Sequence, residues 1–483
     1  MKAEKPAPTM NAPPKEAAGP RQGTDRINQD HGKTVTPDAN GKPIDMAALE
    51  DKAVPDYYHA RSERFLVRNC EGRWLPHSAG SFKRILARRG IAIRAENGES
   101  LSCADHEILA IQDRFDVDGY GPLCGRNSGF IDEGGTRFLV TEDMNLIEPM
   151  PGKCPTIFAV CKGLLHDGET EEIGDAQLHT FYGLLKSSIK ALRAGRHQQQ
   201  QALAICGPKD CGKSFVQHHI ITPCLAGRSA DAARYFLRGS DFNSDLFKVE
   251  HLALDDAHSS TSTRDRVAFG AKLKTHTVGA SVKDLHAKGK DAMHMRPWWR
   301  ISITLNDGPE SMMVLPPLDE NLADKLILLH ASSFNFPMPI ATPEERDAFE
   351  RQLHSEIPAF LHWLLHIYEI PEAYVDRRRY NISTYHHPEL RDALDRLAPE
   401  AELLELIDLA FKEDFASHGR VRLTAAKIEE RISNADKRRA DRLFHFSKSC
   451  GTYLGRLAVK HPGRVEKSDT ATERGWMLMP PSE

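Results

Sequence analysis

Residues 202–219 read ALAICGPKDCGKSFVQHH: an apolar run, a loop bracketed by glycines, then Lys213 and Ser214 opening a helical pattern. Gly207, Pro208, Lys209, Asp210, Cys211, Gly212, Lys213 and Ser214 fill every fixed position of the phosphate-binding pattern GxxxxGK[ST]. Glycines let the backbone curl until its N–H groups point inward at phosphate oxygens. The helix that follows offers unpaired N–H groups and a positive dipole end. In that frame Lys213 reaches the β- and γ-phosphates, and the Ser214 hydroxyl ligands Mg²⁺. The pattern works only between a strand and a helix, so it commits the middle of the chain to an α/β architecture. It makes a nucleoside triphosphate, ATP, the expected ligand.

A nucleotide hydrolase needs one carboxylate beside Mg²⁺ and another to polarise the attacking water. Residues 252–256, LALDD, offer both at the end of an apolar run about 40 residues downstream. Asp255 is the expected metal-side acid, and Asp256 the expected base. A second apolar run, Ile301 to Leu305, ends in Asn306. An amide at a strand end beside a γ-phosphate can bond both phosphate and water. Between these runs lies VKDLHAKGKD (282–291), whose Lys-Gly-Lys-Asp tip is hairpin-turn chemistry. Lys288 and Lys290 at the tip gain little from packing and much from gripping a polyphosphate backbone.

The order GPKDCGKS, LALDD, LHAKGKD and ITLND resembles the A, B, B′ and C motifs of superfamily 3 helicases. It is similar in particular to the helicase halves of phage, prophage and plasmid primase–helicase proteins. The resemblance is strongest over 200–335 and extends more loosely through RRRYNISTYHHPEL (377–390). It implies an AAA+-like P-loop ATPase core that closes a homo-oligomeric ring, usually a hexamer, and threads single-stranded DNA at a fork. Carried over by position, Gly207, Gly212, Lys213 and Ser214 hold phosphates and Mg²⁺, and Asp255 and Asp256 serve metal and water. Asn306 acts as sensor, and Lys288 and Lys290 grip DNA. Members often place an Arg some 15–25 residues beyond the sensor, reaching a neighbour's nucleotide. Here Asp324-Lys325 occupies that place, so Lys325 is the expected trans cation, with Arg296 or Arg300 as substitutes. A Lys lacks the planar fork that an Arg offers. The chain shows neither a zinc-ribbon cysteine cluster nor a complete acidic triad, so priming is expected of a separate polypeptide.

At 483 residues the chain has room for two to four domains. Residues 1–55 are rich in Pro, Gly and Lys and read as a disordered tail. Residues 56–150 mix short apolar runs with Gly and Pro punctuation, as in a small α+β domain. In it, Asp116-Val117-Asp118 reads as a polar turn. Residues 151–198 form a helical linker or collar, with a helix over 175–195. Residues 199–340 are the ATPase segment and 341–399 a helical connector, with an apolar face through Phe349, Leu353, Ile357 and Phe360. Residues 400–483 read as helices 400–416, 424–433 and 440–460, followed by short strands at 464–466 and 475–478. Helices followed by a two-stranded ribbon suggest a winged helix.

The formal net charge is −4, so the whole molecule is no basic nucleic-acid coat. Residues 420–467, however, hold thirteen Lys/Arg against five Asp/Glu, a local surplus of eight positive charges. Lys437, Arg438, Arg439 and Arg442 are the expected DNA contacts there. Nine scattered cysteines without a CxxC pair argue for reduced thiols in a cytoplasm and against a disulfide framework or cysteine zinc site. No run of 18 apolar residues suggests a membrane span. Adjacent histidines, His218-His219 and His386-His387, diverge in direction and read as structural.

The expected activity is ATP-dependent DNA unwinding for a phage, prophage or plasmid-like element. Two rivals are open: an ATP-regulated replication initiator or regulatory or defence ATPase that binds DNA without unwinding it, and a P-loop kinase for a small substrate. The kinase reading leaves the basic hairpin and the terminal module without a task.

Overall fold

The computed structural model describes residues 55–96, 98–237, 242–255, 263–277, 282–286, 293–319, 321–470 and 473–481. Two small sheets come first. β1 (Tyr57–His59), β2 (Arg64–Arg68) and β3 (Trp74–His77) form an antiparallel sheet. Helices α1 (Ala79–Arg88) and α2 (Cys103–Arg114) follow, and the second opens on a reciprocal capping box between Ser102 and Asp105. β4 (Gly119–Gly121), β5 (Gly129–Glu133) and β6 (Thr136–Val140) make the other sheet, with β6 in the middle. Asp116 and Asp118 accept backbone N–H groups of Ala60 and Arg137, as a polar turn does. Phe138 and Val140 share one apolar cluster with Leu252 and Ile301, so the core runs on past position 150 into the nucleotide segment.

Helices α3 (Pro155–Leu165) and α4 (Glu171–Arg193) form the collar. The start of α4 at Glu171 rather than 175 follows from Thr170, whose hydroxyl accepts the Ile173 N–H. The strand and helix signals beyond 200 then become β7 (Ala202–Gly207), α5 (Lys213–Val216, continuing to Cys224), β8 (Ser229–Asp231), α6 (Ala233–Leu237), β9 (His251–Asp255) and α7 (Thr263–Thr277). After them come β10 (Lys283–Leu285), β11 (Met293–Met295), β12 (Arg300–Asn306), α8 (Pro309–Met312) and β13 (Leu326–His330). Five of these strands form one parallel sheet in the order β13-β7-β12-β9-β8.

Parallel strands are covered on both faces, so their sequences run apolar throughout. Period-two alternation divides them between two cores. Leu203, Ile205, Ile327 and Leu329 face the collar helices, while Ala202, Ala204, Ile303, Leu326 and Leu328 face α7. α9 (Pro343–His362) closes the first face, with a Thr342–Glu345 capping box and Phe349, Leu353, Ile357 and Phe360 buried as their spacing requires.

The terminal residues build a separate core around Leu406, Ile428, Leu454 and Leu457. The elements from here to the end are α10 (Pro388–Arg396), α11 (Pro399–Ala410), α12 (Lys412–His418), β14 (Val421–Leu423), α13 (Ala425–Ala435), α14 (Lys437–Leu443), α15 (Ser449–Lys460), β15 (Val465–Lys467) and β16 (Trp476–Leu478). α10 belongs to the sheet side, and the rest pack together. The expected helix 440–460 is two helices, because Lys448 takes a left-handed backbone conformation at φ +70°. Val421–Leu423 adds a third strand beside the expected ribbon, in the order β14-β16-β15. Among the described residues, no helix is long and apolar enough to cross a membrane.

Candidate nucleotide site and basic surfaces

The parallel sheet places the ends of β7, β9 and β12 side by side at its carboxyl edge. In open α/β sheets, ligands bind outside that edge, where connections leave in opposite directions. The loop 207–214 leaves β7 there. Gly207 admits no side chain, since a Cβ would sit 2.1 Å from the Ala331 carbonyl oxygen. Gly212 adopts φ +98° and starts the helix, and Asp210 is left-handed at φ +61°. The loop's curl therefore rests on positions that the pattern reserves for glycine and on one Asp, a residue that tolerates this region.

Lys213 is buried, and its ammonium is spread over the loop it serves. Nζ donates to the carbonyls of Gly207 (3.0 Å) and Pro208, and to Asn306 Oδ1 at 3.3 Å. Ser214 Oγ donates to Asp255 Oδ1 at 2.6 Å. Two neighbours at the helix start thus each reach a strand end far away in sequence, Lys213 bonding Asn306 on β12 and Ser214 bonding Asp255 on β9. Burial raises the Cys211 thiol, partly offset by Lys213, and pushes Cys206 up to about 12, so both stay neutral beside the loop.

Thr304 escaped the sequence reading. Its Oγ1 donates to the same Asp255 oxygen at 2.6 Å, and it is the register partner of Asp255 across β9 and β12. The pairing of LALD with ISIT that joins them is set by strand register. His218 Nε2 lies 3.9 Å from Asp255 Oδ2, so this histidine borders the site rather than only the core. Beneath the loop, Thr222, His251, Ser302 and Gln217 form a buried polar chain, with His251 bonded at both nitrogens. Burial, with the nearby His218 adding to it, pushes the His251 pKa down to about 3, so the ring is neutral.

The donor set suits hard ligands. A serine hydroxyl next to a carboxylate is oxygen chemistry that matches Mg²⁺. Backbone N–H groups of the glycine loop and the Lys213 ammonium match phosphate oxygens.

Other expected site residues fall differently. Asp256, Lys288 and Lys290 lie outside the described residues. The hairpin stem is described, with β10 antiparallel to β11 and Lys283 opposite Met295. Lys325 is not a free cation: its side chain is 7% exposed, and Nζ is bound to Asp324 at the amino end of β13. Burial with a carboxylate partner removes the basis for the expected trans role. The substitutes fare no better. Arg300 stacks on Trp298 within the core, with burial lowering its pKa to about 9, and Arg296 pairs with Glu133.

In the terminal module, Lys437, Arg438 and Arg442 are exposed on α14. Arg439 is not: its guanidinium bonds Glu402 and Glu405 on α11. Arg456 holds Glu400 and Asp319, Lys460 holds Asp395, and Arg464 holds Asp408. The expected basic face is therefore narrower than its composition suggests, and Arg439 leaves the set of DNA contacts.

These features define a P-loop-like α/β core with a glycine loop at the carboxyl edge of its sheet. No family model matches the chain, and no curated protein matches it in sequence. Among solved structures, the chain resembles the apo C-terminal region of NrS-1 at 11% identity and a TM-score of 0.49, covering 90% of this chain and 98% of that one. It also resembles an SCCmec type IV Cch described as an active helicase, at 10% identity and a TM-score of 0.30, covering 85% and 73%. A JCV helicase matches at 13% identity and 0.26, covering 54% and 64%. Each is a likeness in chain path, at an identity too low to transfer chemistry.

Proposed function

We propose that this chain is an ATP-dependent DNA helicase of superfamily 3 type that works as a homo-oligomeric ring on single-stranded DNA. The observation that carries this reading is the convergence of Lys213, Ser214, Asp255 and Asn306 at one sheet edge, joined by hydrogen bonds. ATP is the nucleotide of this reading, and bound Mg²⁺ supplies charge neutralisation across the phosphates. Ser214 and Asp255 hold the metal side of the site, and Thr304 fixes the orientation of Asp255. Lys213 exchanges its carbonyl partners for phosphate oxygens. Asn306, already bonded to Lys213, links the phosphate position to β12. The β10–β11 stem enters between β9 and β12 in sequence, so it is placed to respond to both. Asp256 is the proposed base, and Lys288 and Lys290 the proposed strand grip. The terminal module has the element order of a winged helix, and Lys437, Arg438 and Arg442 are its proposed phosphate contacts.

Strand displacement on a forked duplex with ATP and Mg²⁺ tests the reading. Wild type is expected to unwind, Lys213→Ala to lose both hydrolysis and unwinding, and Lys288→Ala/Lys290→Ala to keep hydrolysis and lose unwinding. Hydrolysis and DNA binding without displacement at any fork would instead make the protein an ATP-regulated initiator or regulator.

A further inference from the structure

His387 carries an unmet demand. Its side chain is 1% exposed, Nδ1 has no hydrogen-bond partner among the described residues, and Nε2 faces only a carboxylate. Its Nε2 lies 3.3 Å from Glu169 Oε2, and the other Glu169 oxygen is 2.5 Å from His330 Nδ1. One potential ligand atom from each of the three residues lies within 4.8 Å of the others. The Glu169 side chain is 12% exposed and His330 20% exposed, so solvent reaches the cluster past these two and not past His387.

Three separate elements supply these groups. Glu169 sits in the turn between α3 and α4, His330 ends β13, and His387 precedes α10. Their backbones are fixed. Gln177 accepts the His330 N–H and donates to its carbonyl, while the His387 N–H donates to Leu328 across the free edge of β13. Tyr385, two residues earlier on that edge, also has a buried hydroxyl without a partner.

Two imidazole nitrogens and one carboxylate oxygen form a set that favours Zn²⁺ over Mg²⁺ or Ca²⁺. Ligand bonds of about 2.0–2.1 Å at tetrahedral angles put neighbouring ligand atoms roughly 3.3 Å apart. The separation of His387 Nε2 from Glu169 Oε2 already has that value, while His330 Nδ1 faces the other oxygen, Oε1, a hydrogen bond that an ion held by Oε2 replaces.

We propose that Glu169, His330 and His387 bind one divalent transition-metal ion of the Zn²⁺ class, with water in the fourth position. The ion clips the 385–387 segment and the α3–α4 turn to the edge strand β13. The next residue, Ala331, donates to Cys206 at 2.7 Å and packs on Gly207, so the clip braces the base of the phosphate loop. It is distinct from the Mg²⁺ site at Ser214 and Asp255. The adjacent pair His386-His387 is not the unit: His387 finds its partners on other elements.

The test uses the full chain, stripped with EDTA and titrated with ZnCl₂ against a chromophoric chelator, then with CoCl₂ while visible absorption is followed. One equivalent of Zn²⁺ is expected to bind more tightly than micromolar, and Co²⁺ to give the bands of a four- or five-coordinate site. Glu169→Gln and His330→Gln are each expected to weaken binding by about 100-fold. Both spare the buried His387, and circular dichroism in EDTA verifies that each variant folds. Lys213→Ala should bind Zn²⁺ as wild type does, so loss of the nucleotide reading leaves this one standing. No stoichiometric Zn²⁺, or undiminished binding by both variants, would overturn it and leave a His–Glu–His hydrogen-bonded cluster.

Discussion

The phosphate-loop edge of the sheet and the basic terminal module both stand out in the sequence as patterns, one of spacing and one of charge. Folding treats them differently. At the sheet edge the motif residues turn toward each other: Lys213 meets Asn306, and Ser214 meets Asp255. In the module much of the charge turns toward opposite charge within the chain, as Arg439, Arg456, Lys460 and Arg464 do. A spacing motif encodes geometry, because a strand end, a curl and a helix start can be satisfied in few ways. A surplus of arginines encodes only a sum, and the sum does not say which acid each one faces.

The largest effect is expected where convergence is tightest. Lys213→Ala should lower steady-state ATP hydrolysis by about 10³-fold, the scale of losing one preorganised donor to a developing phosphate charge. Among the described residues the buried ammonium bonds two loop carbonyls, Cys211 and Asn306, and truncation removes all of these bonds. A variant that retained near-wild-type turnover would break the link between this cluster and chemistry.

Acid and salt should separate the two regions. His251 under the loop has its pKa pushed down to about 3, and His276 on α7 likewise to about 3, burial leading in both. Unfolded histidines titrate near 6.5, so below that pH the unfolded chain binds more protons. Stability is therefore full above pH 6.5 and falls as pH drops toward 3. At pH 5 the loss is about 2 kcal/mol per histidine. Denaturation midpoints at pH 7 and pH 5 would show it. The module's ion pairs are partly exposed, and they should weaken instead with added salt at constant pH. An acid-insensitive sheet would mean that the His251 chain opens to water.

Most of the sheet was legible because parallel strands are apolar throughout and end at fixed chemistry. The loop, Asp255, Asn306 and the α9 face all fall where their patterns put them. Thr304 was not legible, since its role comes from register with Asp255, and register is a property of two strands. The break at Lys448 and the strand Val421–Leu423 were missed because both are short and set by tertiary pairing. Lys325 and Arg439 read as free cations in sequence because neither partner shows there: each meets a carboxylate, in one case adjacent and in the other 34 or more residues away. Glu169, His330 and His387 gave no local signal, as they come together only across three elements.

Thr304→Val is next in size. It keeps volume and removes one of the two donors on Asp255 Oδ1, a bond worth about 1–1.5 kcal/mol. Turnover should fall by about tenfold, and Thr304→Ser should restore it. An unchanged rate would show that Ser214 alone orients the carboxylate.

The smallest effects discriminate best within the module. Arg438→Ala removes an exposed cation that meets no acidic partner among the described residues, whereas Arg439→Ala, one residue along, removes a guanidinium shared by Glu402 and Glu405. Arg438→Ala should weaken single-stranded DNA binding a few-fold and reduce the slope of log affinity against log salt by about 0.7. Arg439→Ala should leave that slope unchanged and lower the module's stability by about 0.2–1 kcal/mol, the range of a partly exposed pair. Fluorescence anisotropy over a salt series reads the first, and a denaturation curve the second. If Arg439→Ala instead lowered the slope as much as Arg438→Ala, DNA would be pulling the guanidinium off its two glutamates. The module's basic face would then be assembled by its ligand, and the contrast with the sheet edge would reduce to when each region finds its partners.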